Sequence, residues 1–245
     1  MVDGRESLGG LSQRGVVTGF LAQVVTGAFD SSWWEITWRT CQVSGAAVSV
    51  ALAVGVPLGW WLGRVRHPIG DVGLLVARSG LAMPPVVLGL LLMLVLSRRG
   101  PLGSWEWLFT WQAMVLAQFL LVLPYPIAIL ADAIRALPGT FEKQLRGLGA
   151  SRSQVVWWIL RELRPSFALI VGAAIGRSLS EVGAVLIVGG NLVGKTRVLT
   201  TAIVAKTGEG AYAEALGLGG VLLVLAFLAN VVVLAVTMRK RADVT

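Results

Sequence analysis

RSLSEVGAVLIVGGNLVGKTRVLTTAI, residues 177–203, supports two readings that exclude each other. Read as part of a soluble fold, AVLIV (184–188) is a strand, GGNLVGKT (189–196) fits the phosphate-loop pattern G-x-x-x-x-G-K-[ST], and RVLTTAIV (197–204) is the helix behind it. Read as a membrane segment, the same stretch places two ions, Arg177 and Glu181, four residues apart on one helix face within an apolar run. Gly183, Gly189, Gly190 and Gly194 then permit a broken helix and a re-entrant loop. Irregular backbone of that kind is tolerated at membrane depth only beside a pore or cavity.

Composition decides between them. Of 245 residues, 56% are hydrophobic and 14% charged, where an ordinary globular domain is about 25% charged. Segments 45–63, 79–97, 112–131 and 215–238 carry no ionised residue and approach the roughly 20 residues that cross a bilayer. Segment 166–190, interrupted only by Arg177 and Glu181, makes a fifth span. The fold class is therefore all-α, a polytopic membrane protein of about five transmembrane helices. A nucleotide-binding domain needs a parallel sheet covered by helices, and no polar stretch long enough to build one remains. IAILAD (127–132) imitates a Walker B strand closing on Asp132, but it precedes the glycine loop and follows two prolines. Lys195 is accordingly not read as a phosphate ligand.

The net charge of +8 does not point to nucleic acid, because the basic residues cluster between the spans. Arg64 and Arg66 follow the first; Arg135, Lys143, Arg146, Arg152, Arg161 and Arg164 fill the segment between the third and fourth; Arg239, Lys240 and Arg241 end the fifth. The positive-inside rule makes these regions cytoplasmic, with the N-terminus outside and the C-terminus inside the plasma membrane. Arg98 and Arg99 run against the rule. Residues 1–36 are expected as an extracytoplasmic segment whose stretch 15–29 lies flat on the membrane. Residues 37–238 form the transmembrane domain and 239–245 a cytoplasmic tail. The acidic Asp3 and Glu6 fit poorly with a signal peptide. A lone Cys41 and a lone His67 give no internal disulfide and no histidine-built metal centre.

Local signals add detail. Ser32 with Glu35 reads as a capping box opening span one, with Trp33, Trp34 and Trp38 as an aromatic belt. On the cytoplasmic side, about 135–164, a helix–turn–helix is expected: Thr140 caps its first helix, Gly149 ends it, and Ser151 with Gln154 opens the second. Pro57, Pro84, Pro85 and Pro124 fall inside spans and are expected to bend or break them.

A charge near the bilayer centre costs at least about 2.5–3.5 kcal/mol on insertion scales and usually faces the bundle interior. Arg177 and Glu181 either satisfy each other as a structural pair or line and gate a pathway. The second reading groups them with Ser178, Ser180, Gly189, Gly190, Asn191, Thr196, Arg197, Thr200 and Thr201. Hydroxyls, amides, backbone N–H groups and a few cations suit a small oxyanion, although composition alone leaves a neutral solute open.

LRGLGASRSQVVWWILRELRP (145–165) resembles the docking loop of ABC importer permeases. Gly149 and Ile159 keep their places in that pattern; Lys143 stands where the family has Glu, with Glu142 one residue before it, and Glu162 replaces a Pro. SEVGA, VGGN and TRVLTTAI in order, with RELRP, PLGW (57–60), MPPVVLGLLL (83–92) and LSRRGPLG (96–103), look like the tungstate branch of the tungstate and molybdate permeases. The likeness covers roughly residues 40–235. It implies a homodimer embedded in membrane lipid, a cytoplasmic ATPase dimer that holds the ATP and Mg, and an extracytoplasmic oxyanion-binding protein. This chain would bind no cofactor or metal and perform no covalent chemistry. Glu142, Lys143, Gly149, Ala150 and Ser151 would then meet the ATPase. Sulfate transport, an ATPase-independent channel or carrier, and a membrane-embedded nucleotide binder are the competing functions.

Overall fold

The computed structural model describes residues 31–242, all of whose regular structure is helical. The expected surface helix at 15–29 lies outside the described residues. The helices are α1 (Ser31–Arg64), α2 (Pro68–Leu81), α3 (Pro85–Leu96), α4 (Trp111–Val122), α5 (Pro124–Ala136), α6 (Phe141–Gly147), α7 (Arg152–Glu162), α8 (Arg164–Leu179), α9 (Gly183–Gly189), α10 (Leu199–Gly208) and α11 (Tyr212–Ala242). Stretches at Ser32–Arg64, Trp111–Ala136 and Tyr212–Val233 are long and apolar enough to cross a bilayer alone. Two bent pairs, α2 with α3 and α8 with α9, bring the number to five if each counts as one span.

Outward faces are apolar, as lipid requires: Leu90, Leu91 and Leu94 on α3, and Leu223, Phe227 and Val231 on α11, are exposed. The inward face of α3 buries Leu88, Leu92 and Leu96 against Met114, Ala117 and Leu121 of α4 and Val185 and Val188 of α9. Small residues let the backbones close up. The most extensive contact in the fold, between α1 and α5, runs along Gly55, Gly59 and Gly63, one residue per helical turn. A Cβ on Gly59 would sit 2.8 Å from the Pro126 carbonyl oxygen and 2.9 Å from that of Ile127. One on Gly63 would sit 2.8 Å from Ile134 Cβ.

The prolines behave unequally. Pro84 and Pro85 break the chain where expected, and the axes on either side differ by 104°. Segment 79–97 is therefore not one straight crossing but the junction of two helices, because neither proline can donate to the preceding turn and Pro85 opens a new helix at its first position. Pro57 does not break its helix: α1 continues through it, packed over its length on α5. Pro124 interrupts only one residue of the ladder, since Leu123 keeps right-handed helical angles (φ −52, ψ −39) and Trp111–Ala136 counts as one span.

Two expected caps are also corrected, and two other polar side chains find their partners. Ser32 lies inside α1, not ahead of it, and the Glu35 carboxylate accepts from Arg39 at 2.6 Å. Thr140 occupies the N-cap position of α6 without a side-chain cap. Asp132 is no Walker acid; it accepts from Arg78 Nη2 at 2.5 Å, and beside it Arg135 binds Asp71 and the Leu62 and Val65 carbonyls, tying α2 and the end of α1 to α5. His67 caps α2 through Nδ1.

Candidate functional site

Serine, glutamate and threonine side chains, not proline, bend the fourth span. α8 ends at Leu179 and α9 starts at Gly183, inclined by 53°. Glu181 Oε1 accepts the Ala184 N–H at 2.9 Å, supplying by side chain the bond a continuous helix would draw from the backbone, and the Glu181 carbonyl accepts from Thr200 Oγ1 at 2.9 Å. Below the break, Ser178 and Gln118 of α4 form a reciprocal buried pair: Ser178 Oγ donates to Gln118 Oε1 at 2.9 Å and Gln118 Nε2 donates to the Ser178 carbonyl at 3.2 Å.

Arg177 and Glu181 do meet, at 3.7 Å, longer than a hydrogen bond. Glu181 is 3% exposed and its other oxygen is engaged by α9, while Arg177 is partly exposed. Arg177 Nε is buried and has no hydrogen-bond partner among the described residues. Ser180 is exposed, its hydroxyl donating to the Arg177 carbonyl. A guanidinium with unspent donors therefore borders an exposed hydroxyl at the break.

Above the break, residues 190–198 fold into a closed knot. Gly190 and Gly194 take left-handed angles (φ +68 and +73), as does Asn191 (φ 50). Thr196, 1% exposed, donates to the Gly189 carbonyl at 2.6 Å and accepts from Leu192 N–H at 2.9 Å; the Leu192 carbonyl accepts from Lys195, Thr196 and Arg197. Arg197 Nε donates to Asn191 Oδ1 at 3.2 Å, and Thr201 bonds both the N–H and carbonyl of Val198. Residues 184–188, a strand only in the rejected phosphate-loop reading, are helical. The loop does not fit a nucleotide: the N–H groups of Leu192, Lys195 and Thr196 bond the loop's own oxygens, the hydroxyl that would hold Mg is buried, and Lys195 is exposed. No nucleotide step is assigned to this chain.

The knot is fastened to α1 by residues outside the sequence-based candidate set. Arg39 Nη2 donates to the Gly194 carbonyl at 2.9 Å, and Thr40 Oγ1 accepts from Leu199 N–H at 2.9 Å. From Thr40 to Arg64, α1 rises about 36 Å at 1.5 Å per residue, so the knot and the end of α1 lie at opposite membrane faces. Lys206 of α10 binds Glu214 of α11 at 2.9 Å and Glu209 at 3.2 Å, carboxylates that hold its ammonium above the ordinary lysine range.

At the opposite face stands the helical hairpin. Ser151 and Gln154 form the expected reciprocal capping box, and Gly149 turns the chain at φ +84 with open space around it. Val155, Ile159 and Leu163 bury one side of α7 against Leu130 of α5 and Ile170 of α8. Glu142 accepts from Arg64 at 3.1 Å and from Arg146 at 2.7 Å; Lys143, Gly149 and Ser151 are exposed and Ala150 is half-buried.

The profile of the binding-protein-dependent transport system inner membrane component matches residues 55–242. The tungstate uptake system permease protein TupB of Peptoclostridium acidaminophilum is 38% identical over 84% of this chain and 90% of its own. The molybdenum transport system permease protein ModB of Escherichia coli K12 is 31% identical over 69% of this chain and 78% of its own. In three dimensions the chain is similar to a bacterial ABC transporter involved in the import of the acidic polysaccharide alginate, at a TM-score of 0.70 and 17% identity, covering 92% of this chain and 89% of that one.

Proposed function

Given that the chain belongs to the family of binding-protein-dependent transport system inner membrane components, we propose that it is the permease subunit of an importer for tungstate or molybdate. As such it is a transport subunit and not an enzyme. Two copies form the pathway, a separate ATPase pair drives it through the hairpins, and an extracytoplasmic protein delivers the oxyanion. Nucleotide binding on the partner draws the hairpins together and favours the outward-open state, and hydrolysis restores the other; each ligand biases a two-state equilibrium by its differential affinity.

The observation that carries the oxyanion reading is Arg177, a partly exposed cation at a helix break whose neighbouring carboxylate stands at 3.7 Å, beyond hydrogen-bond length. A tetrahedral oxyanion offers the acceptors this group lacks. Ser180, Asn191 and Arg197 keep some exposure and would share the path. Ser178, Thr196, Thr200 and Thr201 act as the frame, since their hydroxyls are buried in bonds to this chain.

Uptake in cells lacking this protein, with tungstate, molybdate and sulfate supplied separately, tests the substrate. Complementation restores tungstate or molybdate uptake, and Arg177→Ala lowers it with assembly intact; restoration of sulfate uptake alone would overturn the assignment. Gly149→Arg should abolish co-purification of the ATPase, and an unaffected complex would remove the docking role from the hairpin. In a Cys41→Ala background, Val193→Cys should react with an impermeant maleimide from outside only, and Leu148→Cys from the cytoplasm only. Both sites are exposed, at 74% and 86%; the opposite pattern inverts the topology.

A further inference from the structure

A cavity of about 390 Å³ opens between the end of α1 and the start of the hairpin; of its lining residues only Glu142 belongs to the docking set of the transport reading, and the arginines have no role in it. Its polar lining is Arg64, Arg66 and Glu142; its apolar lining includes Ile134, Phe141 and Ile159. The charges do not balance. Glu142 is the one carboxylate among the lining residues, and both its oxygens are taken, by Arg64 at 3.1 Å and by Arg146 at 2.7 Å. Arg64 and Arg146 thus share one carboxylate, and Arg66 has none among the described residues. Arg66 is exposed and bonds nothing among the described residues, and Arg64 is also held over the Trp60 ring at 5.4 Å. The carbonyls at this end of α1 do not repel an anion unopposed, because Arg135 takes up those of Leu62 and Val65.

The depth of the cavity identifies the kind of anion. It begins at Gly63 and Arg64, where α1 leaves its apolar span, and Trp61, 52% exposed, sits on the same last turns. An exposed tryptophan there marks the level of lipid headgroups. Its volume falls within the roughly 300–1,000 Å³ typical of ligand pockets and exceeds what a bare phosphate needs. Its wall of isoleucine and phenylalanine suits the glycerol and upper acyl carbons attached to a phosphodiester. We propose that this cavity binds the headgroup of an anionic phospholipid, with Arg66 and Arg64 on the phosphate, beside the hairpin that docks the ATPase. Basic pockets between transmembrane helices at a membrane surface recognise such headgroups. A free phosphate carries the same oxyanion and is the alternative source of the ligand.

Native mass spectrometry of the purified full-length chain in detergent, given equal phosphatidylglycerol and phosphatidylcholine or inorganic phosphate alone, tests this. Wild type should retain phosphatidylglycerol in preference to phosphatidylcholine. Arg66→Gln, which removes no bond within the fold, should lower retention about tenfold, the effect of one hydrogen bond to a charged group. Arg66→Lys should keep part of it, and Arg99→Gln, an exposed arginine on another turn, should change nothing. Equal retention of the two lipids, or equal losses in the Arg66 and Arg99 variants, overturns the site. Arg66-dependent binding of inorganic phosphate without phosphatidylglycerol overturns the lipid occupant.

Discussion

Glu181 carries two loads that a pair of substitutions separates. Its Oε1 caps the Ala184 N–H at 2.9 Å, and its Oε2 faces Arg177 at 3.7 Å. Glu181→Gln keeps an oxygen for the cap and removes the charge; Glu181→Ala removes both. The Arg177 contribution is about 4 kcal/mol at 4 Å with an effective dielectric near 20, offset by the several kcal/mol that burying the carboxylate costs. Its loss is common to both variants and cancels in their difference. What remains is a buried N–H left without an acceptor, about 1–3 kcal/mol, to which the space vacated by the shorter side chain adds. At about 2–4 °C per kcal/mol for a chain of this size, Glu181→Ala should melt about 2–12 °C below Glu181→Gln when the two purified proteins are heated in the same detergent. Coincident melting curves would refute the cap. The same two proteins address the pathway, since both lack the charge: uptake should fall in both, and normal, coupled uptake by Glu181→Gln would confine the ion pair to a structural role.

Packing and polar contacts give three more expectations. Gly59→Ala should cost about 1–3 kcal/mol by overpacking, because the carbonyls of Pro126 and Ile127 stand in the way, whereas Gly45→Ala, with nothing within 4 Å, should not destabilise; equal melting temperatures would contradict the close α1–α5 approach. Gln118→Leu strands the Ser178 hydroxyl and should cost about 1–3 kcal/mol, with part of the loss recovered in Gln118→Leu/Ser178→Ala; strictly additive losses in that cycle would show the two side chains do not interact. Ile159 joins α7 to Leu130 and Ile170, so Ile159→Ala should loosen the mechanical link from hairpin to α8 and lower uptake per ATP hydrolysed in the reconstituted transporter while the ATPase still co-purifies; an unchanged ratio would place the coupling elsewhere.

The features legible in the sequence were those set by local rules. The Ser151–Gln154 cap, the turn at Gly149 and the break at Pro84–Pro85 each depend on residues within one turn of one another, and each is found where the pattern placed it; of the five apolar stretches three are spans alone, and the other two fall on bent helix pairs. Pro57 shows where local rules stop: its missing N–H predicts a break, yet α1 passes through because packing along α5 outweighs one lost bond. The contacts of α1 with α5 were legible in principle, since Gly55, Gly59 and Gly63 repeat every fourth residue, but the signal lies in residues that add nothing to hydropathy. Long-range partners left weaker marks. Gln118 stands as a lone amide amid apolar residues in LAQFLLVL, and Arg39 follows Glu35 by one helical turn; either oddity names a polar contact without saying to what. Thr196, Thr200 and Thr201 illustrate the converse. Their hydroxyls suggest a wet path by type, but a threonine beside interrupted helix ends is also the nearest available partner for stranded backbone groups. In a membrane, where no water reaches those groups, that second demand is met first. Among the described residues the buried donors left over include three guanidinium nitrogens, Nη1 of Arg39 and Nε of Arg135 and Arg177, and of these only that of Arg177 stands beside the break in the fourth span.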